Sequence, residues 1–174
     1  MEPQISFVSY DSLEKNPESD FARIYKKLIE DYVPDGTNYV FIGSKQEEDK
    51  KIGLGYKCIG TRTEDGSFNR VGNLKKENRL SVDALVLSTA FFNKGESHAD
   101  FLSVAKRTLV PSGLIKIENA SIFFSDGNLE TRKKLFNEFT EKGFNVWILP
   151  KGEPVRGSDE KFSHQAVTIF AQKL

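Results

Sequence analysis

The most informative stretch of this chain begins at Val82-Asp83-Ala84-Leu85-Val86-Leu87-Ser88-Thr89. Such a nearly unbroken apolar run is typical of a strand that is buried on both faces. Apolar residues then recur at helical spacing and predict a helix over about 97–109. Val110-Pro111-Ser112-Gly113 should end that helix, and a second strand is predicted over 113–119. Strand, helix and strand in this order predict a parallel pair joined by a helical crossover.

The segments on either side of this unit also alternate between strand and helix. A helix is predicted over 19–33, with Ser19 or Asp20 as its N-cap and Pro34-Asp35-Gly36 as its stop. Residues 1–16 show no periodic pattern and are predicted to be irregular. The remaining predicted elements are strands at 38–44, 56–61, 68–74, 144–149 and 164–172, a short charged helix at 46–51 and a helix at 129–142.

This order of elements predicts an α/β fold with a mainly parallel sheet covered on both faces. The last two predicted strands are joined by a polar connection without a helix, so the sheet should end in an antiparallel hairpin. A chain of 174 residues is long enough for one domain with a sizeable core. We therefore expect an irregular N-terminal segment over 1–18 and a single domain over 19–174.

Composition excludes several classes of function. The formal net charge is zero, and no apolar run is long enough to span a bilayer, so neither DNA nor a membrane is indicated as a partner. The N-terminus lacks a signal-peptide pattern, and the single cysteine, Cys58, permits no internal disulfide, so an intracellular protein is expected, cytoplasmic or nuclear. Cys58 is interpreted as a small buried hydrophobe. His98 and His164 lack ligands at useful spacing, so no metal site is predicted.

Residues 101–113 resemble the helix and turn before the fifth strand of Rossmann-like (class I) methyltransferases that depend on S-adenosylmethionine (AdoMet). Ser81-Val82-Asp83, Leu87-Ser88-Thr89 and Lys142-Gly143-Phe144 are similar to stretches of the nucleolar ribosomal-RNA-processing family, which modifies an adenine in large-subunit rRNA. The resemblance implies a Rossmann-like methyltransferase sandwich, AdoMet as cofactor, and RNA as substrate or partner, with a nucleolar location.

The half of the fold that should hold AdoMet departs from this family. The family has an acidic residue followed by Gly-x-Gly after the first strand of its core sheet, whereas this chain has Phe41-Ile42-Gly43-Ser44-Lys45. An acid usually ends the next strand, but Gly60-Thr61-Arg62 stand here. A third acidic position would fall near Val71-Gly72-Asn73, which contains no acid. These losses predict a degenerate cofactor site.

Two functions therefore compete. The first is a non-catalytic binding or assembly module, without a cofactor, in a larger complex that could include RNA. The second is an active AdoMet-dependent rRNA adenine methyltransferase with a divergent pocket. For the second, the resemblance implies four cofactor-binding residues, namely Gly43, Ser44, Asn73 and Ser88. Phe91 and Phe92 follow the fourth strand and would stack on a target base, or else fill the core. No side chain is assigned a catalytic role.

Overall fold

The computed structural model of the chain describes residues 3–7, 15–16, 18–19, 22, 33–43, 45–59, 74–88, 98–118, 129–150 and 167–174. Seven strands and three helices are assigned within these ranges. The strands are β1 (Ile5–Phe7), β2 (Tyr39–Ile42), β3 (Lys57–Cys58), β4 (Val82–Leu87), β5 (Leu109–Ile117), β6 (Phe144–Pro150) and β7 (Val167–Lys173). The helices are α1 (Lys45–Gly53), α2 (Ala99–Thr108) and α3 (Leu129–Glu141).

The strands form one sheet in the order β1-β6-β7-β5-β4-β2-β3. Every pair is parallel except the two made by β7, which runs antiparallel to both β5 and β6. This arrangement confirms the predicted single-domain α/β sandwich of the Rossmann-like methyltransferase kind, with a mainly parallel sheet and an antiparallel hairpin made by the last two strands of the chain; β1 extends the sheet beyond β6.

The junction between α2 and β5 differs from the prediction. The helix ends at Thr108 and the strand begins at once at Leu109, so the segment 110–113 lies inside the strand. Val82 pairs with Leu109 and Ala84 pairs with Leu114, so the extra residues of β5 bulge out of the ladder. A side chain at Gly113 would place its Cβ 2.8 Å from the Val110 carbonyl oxygen, and glycine is needed there.

The prediction that residues 1–16 are irregular is wrong for Ile5–Phe7. These three residues form β1, which pairs in parallel with β6 from Val146 to Ile148. Gln4 strengthens the pairing, because its N–H donates to Asn145 Oδ1 (2.9 Å) and its carbonyl accepts from the Val146 N–H (2.7 Å). A strand of three residues is too short to show periodicity in the sequence. Ile5–Phe7 is extended because it pairs with β6.

Several predicted elements extend beyond the described residues. Within the predicted helix at 19–33, Ala22 is helical and its N–H donates to Ser19 Oγ (3.2 Å), which supports Ser19 as the N-cap. The predicted edge strand at 68–74 lies outside the described residues except for Leu74, which is helical. No helix within the described ranges is long and apolar enough to cross a membrane.

The two faces of the sheet are packed differently. Helices α2 and α3 cover one face, where Phe101, Phe136 and Phe139 meet Leu85 and Ile115. The opposite face carries a smaller and more aromatic cluster on the side of α1. Its fully or nearly buried members are Tyr39, Phe41, Tyr56, Ala84, Val86, Leu114 and Phe170. This second cluster lies beneath the candidate site.

Candidate functional site

The order of the strands reverses at β2, which has β3 on one side and β4 on the other. In open α/β sheets such a point opens a crevice at the carboxyl ends of the strands, where ligands bind. Ile42 is level with Leu87, and the Ser88 N–H donates to the Ile42 carbonyl (3.1 Å). The fold thus brings together Gly43 and Ser88, two of the predicted cofactor residues. The other candidates, Ser44, Asn73, Phe91 and Phe92, lie outside the described residues.

The ring of Phe41 fills the space beside Gly43. A Cβ added to Gly43 would lie 2.5 Å from Phe41 Cζ, 2.8 Å from Phe41 Cε1 and 2.8 Å from Ser88 Oγ. Phe41 is fully buried, so its ring cannot swing away into solvent. An apolar ring, and not a carboxylate, therefore packs against the one glycine of this loop.

An ion pair between a buried lysine and a partly exposed glutamate lies over the same ring. Lys51 Nζ of α1 is 2.7 Å from Glu118 Oε1, and Lys116 Nζ is 3.4 Å from the same oxygen. The Lys51 side chain is 10% exposed and the Glu118 side chain 19%. Lys51 Nζ also lies 5.3 Å from the ring centroid of Phe41 and 5.0 Å from that of Tyr56, within cation–π range.

The ion pair connects α1 to the end of β5 across β4. The Glu118 N–H donates to the Leu87 carbonyl (2.9 Å), which keeps the carboxylate at the crevice. In the sequence Lys51 follows Lys50 and a run of acids, a pattern that is typical of a solvated surface. No periodicity links Lys51 to Glu118, so sequence reasoning missed this part of the site.

Ser88 contributes the polar group that is most available at the crevice. Its Oγ is buried and has no hydrogen-bond partner among the described residues. Leaving a buried hydroxyl unsatisfied costs about 1–3 kcal/mol. The hydroxyl faces Gly43, and the cofactor-binding role of Ser88 stays a prediction.

The described residues of the crevice do not match the cofactor loop of the resembled family. No acidic side chain lies on β2 or β3 within residues 39–43 and 57–59. Glu118, an acid that follows β5 at the crevice, is already paired with Lys51. A ribose or an adenine would find no carboxylate on these two strands to bond with. No group of three metal-binding side chains occurs within the described ranges either.

His98 lies at the start of α2 and contacts α3. It is the N-cap residue of α2, and its N–H donates to Glu138 Oε2 of α3 (3.0 Å), so it joins the two helices. The residue is buried on the face of the sheet away from Phe41 and Lys51. His98 therefore lies apart from the crevice, and His164 is outside the described residues.

Cys58 is expected to react slowly with thiol reagents. Burial, followed by Glu48 and Asp49, raises the pKa of the Cys58 thiol to about 11, against the lowering effect of Lys51. At pH 8 roughly 0.1% would be thiolate, and because a thiolate of higher pKa is also the stronger nucleophile, the reaction with a disulfide reagent should be about 10-fold or more slower than for an unperturbed cysteine. The measurement is a stopped-flow assay, with guanidinium-unfolded protein as the control. Equal rates in the two states would contradict the expectation.

Comparisons with known proteins identify the fold. No protein-family model and no curated protein sequence matches this chain. Among solved structures, it is similar to a SAM-dependent methyltransferase from Archaeoglobus fulgidus, with a TM-score of 0.54 and 18% identity over 92% of this chain and 97% of that one.

Two further methyltransferases have the same architecture. A SAM-dependent methyltransferase from Methanosarcina mazei matches with a TM-score of 0.51 and 13% identity over 84% of this chain and 97% of that one. Geranyl diphosphate C-methyltransferase from Streptomyces coelicolor matches with a TM-score of 0.51 and 13% identity over 92% and 82%. Identities this low establish the fold alone. The chain has the Rossmann-like fold of the SAM-dependent methyltransferases and is methyltransferase-like in architecture.

Proposed function

We propose that this protein is a methyltransferase-like binding module that does not use AdoMet and acts in an RNA-associated assembly. The observation that carries the proposal is the packing of Phe41 against Gly43 at the switch point of the sheet. Class I methyltransferases need an open loop there, because the cofactor must approach the backbone closely. In this chain a buried aromatic ring takes the space beside the glycine.

The ion pair between Lys51 and Glu118 supports the same conclusion. Lys51 of α1 lies over the crevice and is bonded to the Glu118 carboxylate, which would otherwise be free to bond with a ligand. Separating two buried charges is costly unless new partners replace the old ones. A ligand that displaced Lys51 from Phe41 would have to supply them. Lys51, Glu118 and Phe41 therefore favour a crevice that is filled by side chains of the protein and does not hold AdoMet.

The RNA part of the proposal rests on the sequence resemblance to the nucleolar ribosomal-RNA-processing family. That resemblance is carried by 101–113 and by the short stretches at 81–83, 87–89 and 142–144. A protein of this kind would keep the fold as a scaffold for partners in a larger intracellular complex, in the cytoplasm or the nucleolus. Affinity purification that returned no stable partner would count against this role.

One observation favours an active enzyme as the second candidate. Ser88 Oγ is buried, has no hydrogen-bond partner among the described residues, and faces Gly43. A polar ligand at the crevice would satisfy it. On this alternative the chain is an AdoMet-dependent rRNA adenine methyltransferase, with Gly43, Ser44, Asn73 and Ser88 at the cofactor and Phe91 or Phe92 at the target base.

Titration with AdoMet separates the two candidates. We expect no heat in calorimetry and no shift in thermal unfolding at millimolar AdoMet or S-adenosylhomocysteine. A ligand present at 100 times its dissociation constant would stabilise the fold by about 2.7 kcal/mol, so a micromolar site could not escape the thermal measurement. Binding in the micromolar range, weakened by Ser88→Ala, would overturn the proposal and favour the enzyme.

A further inference from the structure

A group of positive side chains lies at the amino ends of the parallel strands, on the side of the sheet opposite the crevice. We call this group the basic edge. Four of the segments that end at this edge contribute to it: the approach to β4, the end of α2, the turn after α3 and the end of β7. The antiparallel direction of β7 matters here, because it carries the last residues of that strand to the amino ends of the others. The basic edge consists of Arg79, Lys106, Arg107, Lys142 and Lys173.

Backbone contacts hold these segments together. The Leu80 N–H donates to the Arg107 carbonyl (3.1 Å), which joins the approach to β4 to the end of α2. Lys173 Nζ donates to the Leu109 carbonyl (2.9 Å). Lys106 Nζ lies 2.9 Å from the position that a Cβ on Gly143 would take, so it covers the turn before β6. The five cations therefore belong to one surface.

These cations are not neutralised by acids within the described residues. None of the five forms an ion pair there, and Glu141, at the end of α3, forms none either. The carboxylate of Asp83, at the start of β4, accepts from the Asn38 N–H (2.7 Å). Burial, followed by the charges of Lys106 and Arg79, lowers the pKa of Lys173. In a chain whose formal net charge is zero, this edge concentrates positive charge that is balanced elsewhere.

The backbone is also unusual at this edge. Among the described residues, Leu80 (φ 54°) and Ser112 (φ 62°) are the two non-glycine residues with positive φ. Leu80 precedes β4, and Ser112 lies in the bulge of β5 that faces the same edge. Backbone strain of this kind costs on the order of 1 kcal/mol or more per residue and is concentrated at functional sites.

We propose that the basic edge binds the phosphate backbone of a nucleic acid. Lysine and arginine supply the charge-assisted bonds that phosphates accept, and the contact needs no base-specific side chain. A protein partner fits less well, since protein interfaces have an apolar centre and few lysines. Within the described residues, the exposed large apolar side chains here are Leu80, which precedes β4, and Leu174, which follows β7. That the partner is a nucleic acid rests on the proposed function, whereas the position of the basic edge does not depend on the crevice.

The test is fluorescence anisotropy with a labelled RNA duplex, a single-stranded RNA, a DNA duplex of the same sequence, and polyglutamate. The test variant is Arg79→Gln/Lys106→Gln, and the control Lys50→Gln/Lys133→Gln removes two exposed lysines elsewhere. We expect the test variant to bind nucleic acid at least about tenfold more weakly, and the slope of log affinity against log salt to fall by about 0.7–0.9 for each cation removed. The control should bind as the wild type does.

Equal affinity for RNA and DNA would support contact through phosphates alone, and a preference for RNA would add contact with the 2′-hydroxyl. The proposal would be overturned by absence of nucleic-acid binding, by equal losses in the test and control variants, or by tighter binding to polyglutamate, which would indicate an acidic protein partner. Unchanged thermal midpoints in both variants would show that folding is not the cause. AdoMet titration tests the crevice, which is separate from the basic edge. A negative result in the nucleic-acid assay therefore does not change the meaning of the AdoMet result.

Discussion

Replacing Phe41 with alanine is expected to lower the free energy of unfolding by about 3–5 kcal/mol, the range for truncating a buried aromatic ring. The ring is fully buried, packs against Gly43, and lies under the ammonium of Lys51, so its loss removes contacts on both sides. Chemical denaturation measures the change. Phe139→Ala is the matched control, because Phe139 is equally buried but lies on the opposite face of the sheet.

A second substitution shows where the ring lies. Gly43→Ala should destabilise the wild type by about 1–3 kcal/mol, since the new Cβ would lie 2.5 Å from Phe41 Cζ. In the Phe41→Ala background much of that conflict is gone, so the two changes should couple by about 1 kcal/mol or more. In the Phe139→Ala background, the effects of Gly43→Ala and Phe139→Ala on the free energy of unfolding should be additive. Additivity in both backgrounds would mean that Phe41 does not fill the space beside the glycine.

Lys51→Met should cost about 2–3 kcal/mol of stability. Removing one partner from a buried ion pair typically costs about 3–5 kcal/mol. Here Glu118 is partly exposed and keeps Lys116 at 3.4 Å, which reduces the loss. Lys50→Met, on the same helix but exposed, should change stability by no more than about 0.5 kcal/mol.

The double variant Lys51→Met/Glu118→Gln separates the pair from its packing. It should be more stable than Glu118→Gln alone, because Glu118→Gln leaves the ammonium groups of Lys51 and Lys116 near each other without the carboxylate between them, and Lys51→Met removes one of those two charges. Urea unfolding of the two single variants, the double variant and the wild type gives the coupling energy. A double variant that loses the sum of the two single effects would show that the ion pair contributes nothing beyond the separate side chains.

The sheet was predictable from the sequence, because buried strands such as Val82–Leu87 show their apolar character in consecutive residues. The crevice was predictable in part. Gly43 and Ser88 lie side by side because each follows one of two paired strands, whereas the cofactor role that the family resemblance implies for them stays a prediction. The contact of Lys51 with Glu118 joins residues 67 positions apart in the chain, and no local pattern reports it. The strand Ile5–Phe7 was missed for the same reason, since it depends on its pairing with β6.

The bulge in β5 makes the two edges of the sheet separable by engineering. Pairing is regular from Ala84 with Leu114 to Leu87 with Ile117, and the irregular residues 110–113 come before it. Shortening or lengthening that segment would reshape only the amino-terminal rim. Glu118 and the crevice would keep their register. We therefore expect insertions within 110–112 that keep Gly113 to leave the crevice unaltered, with thermal unfolding as the measurement of whether the rest of the fold is unchanged.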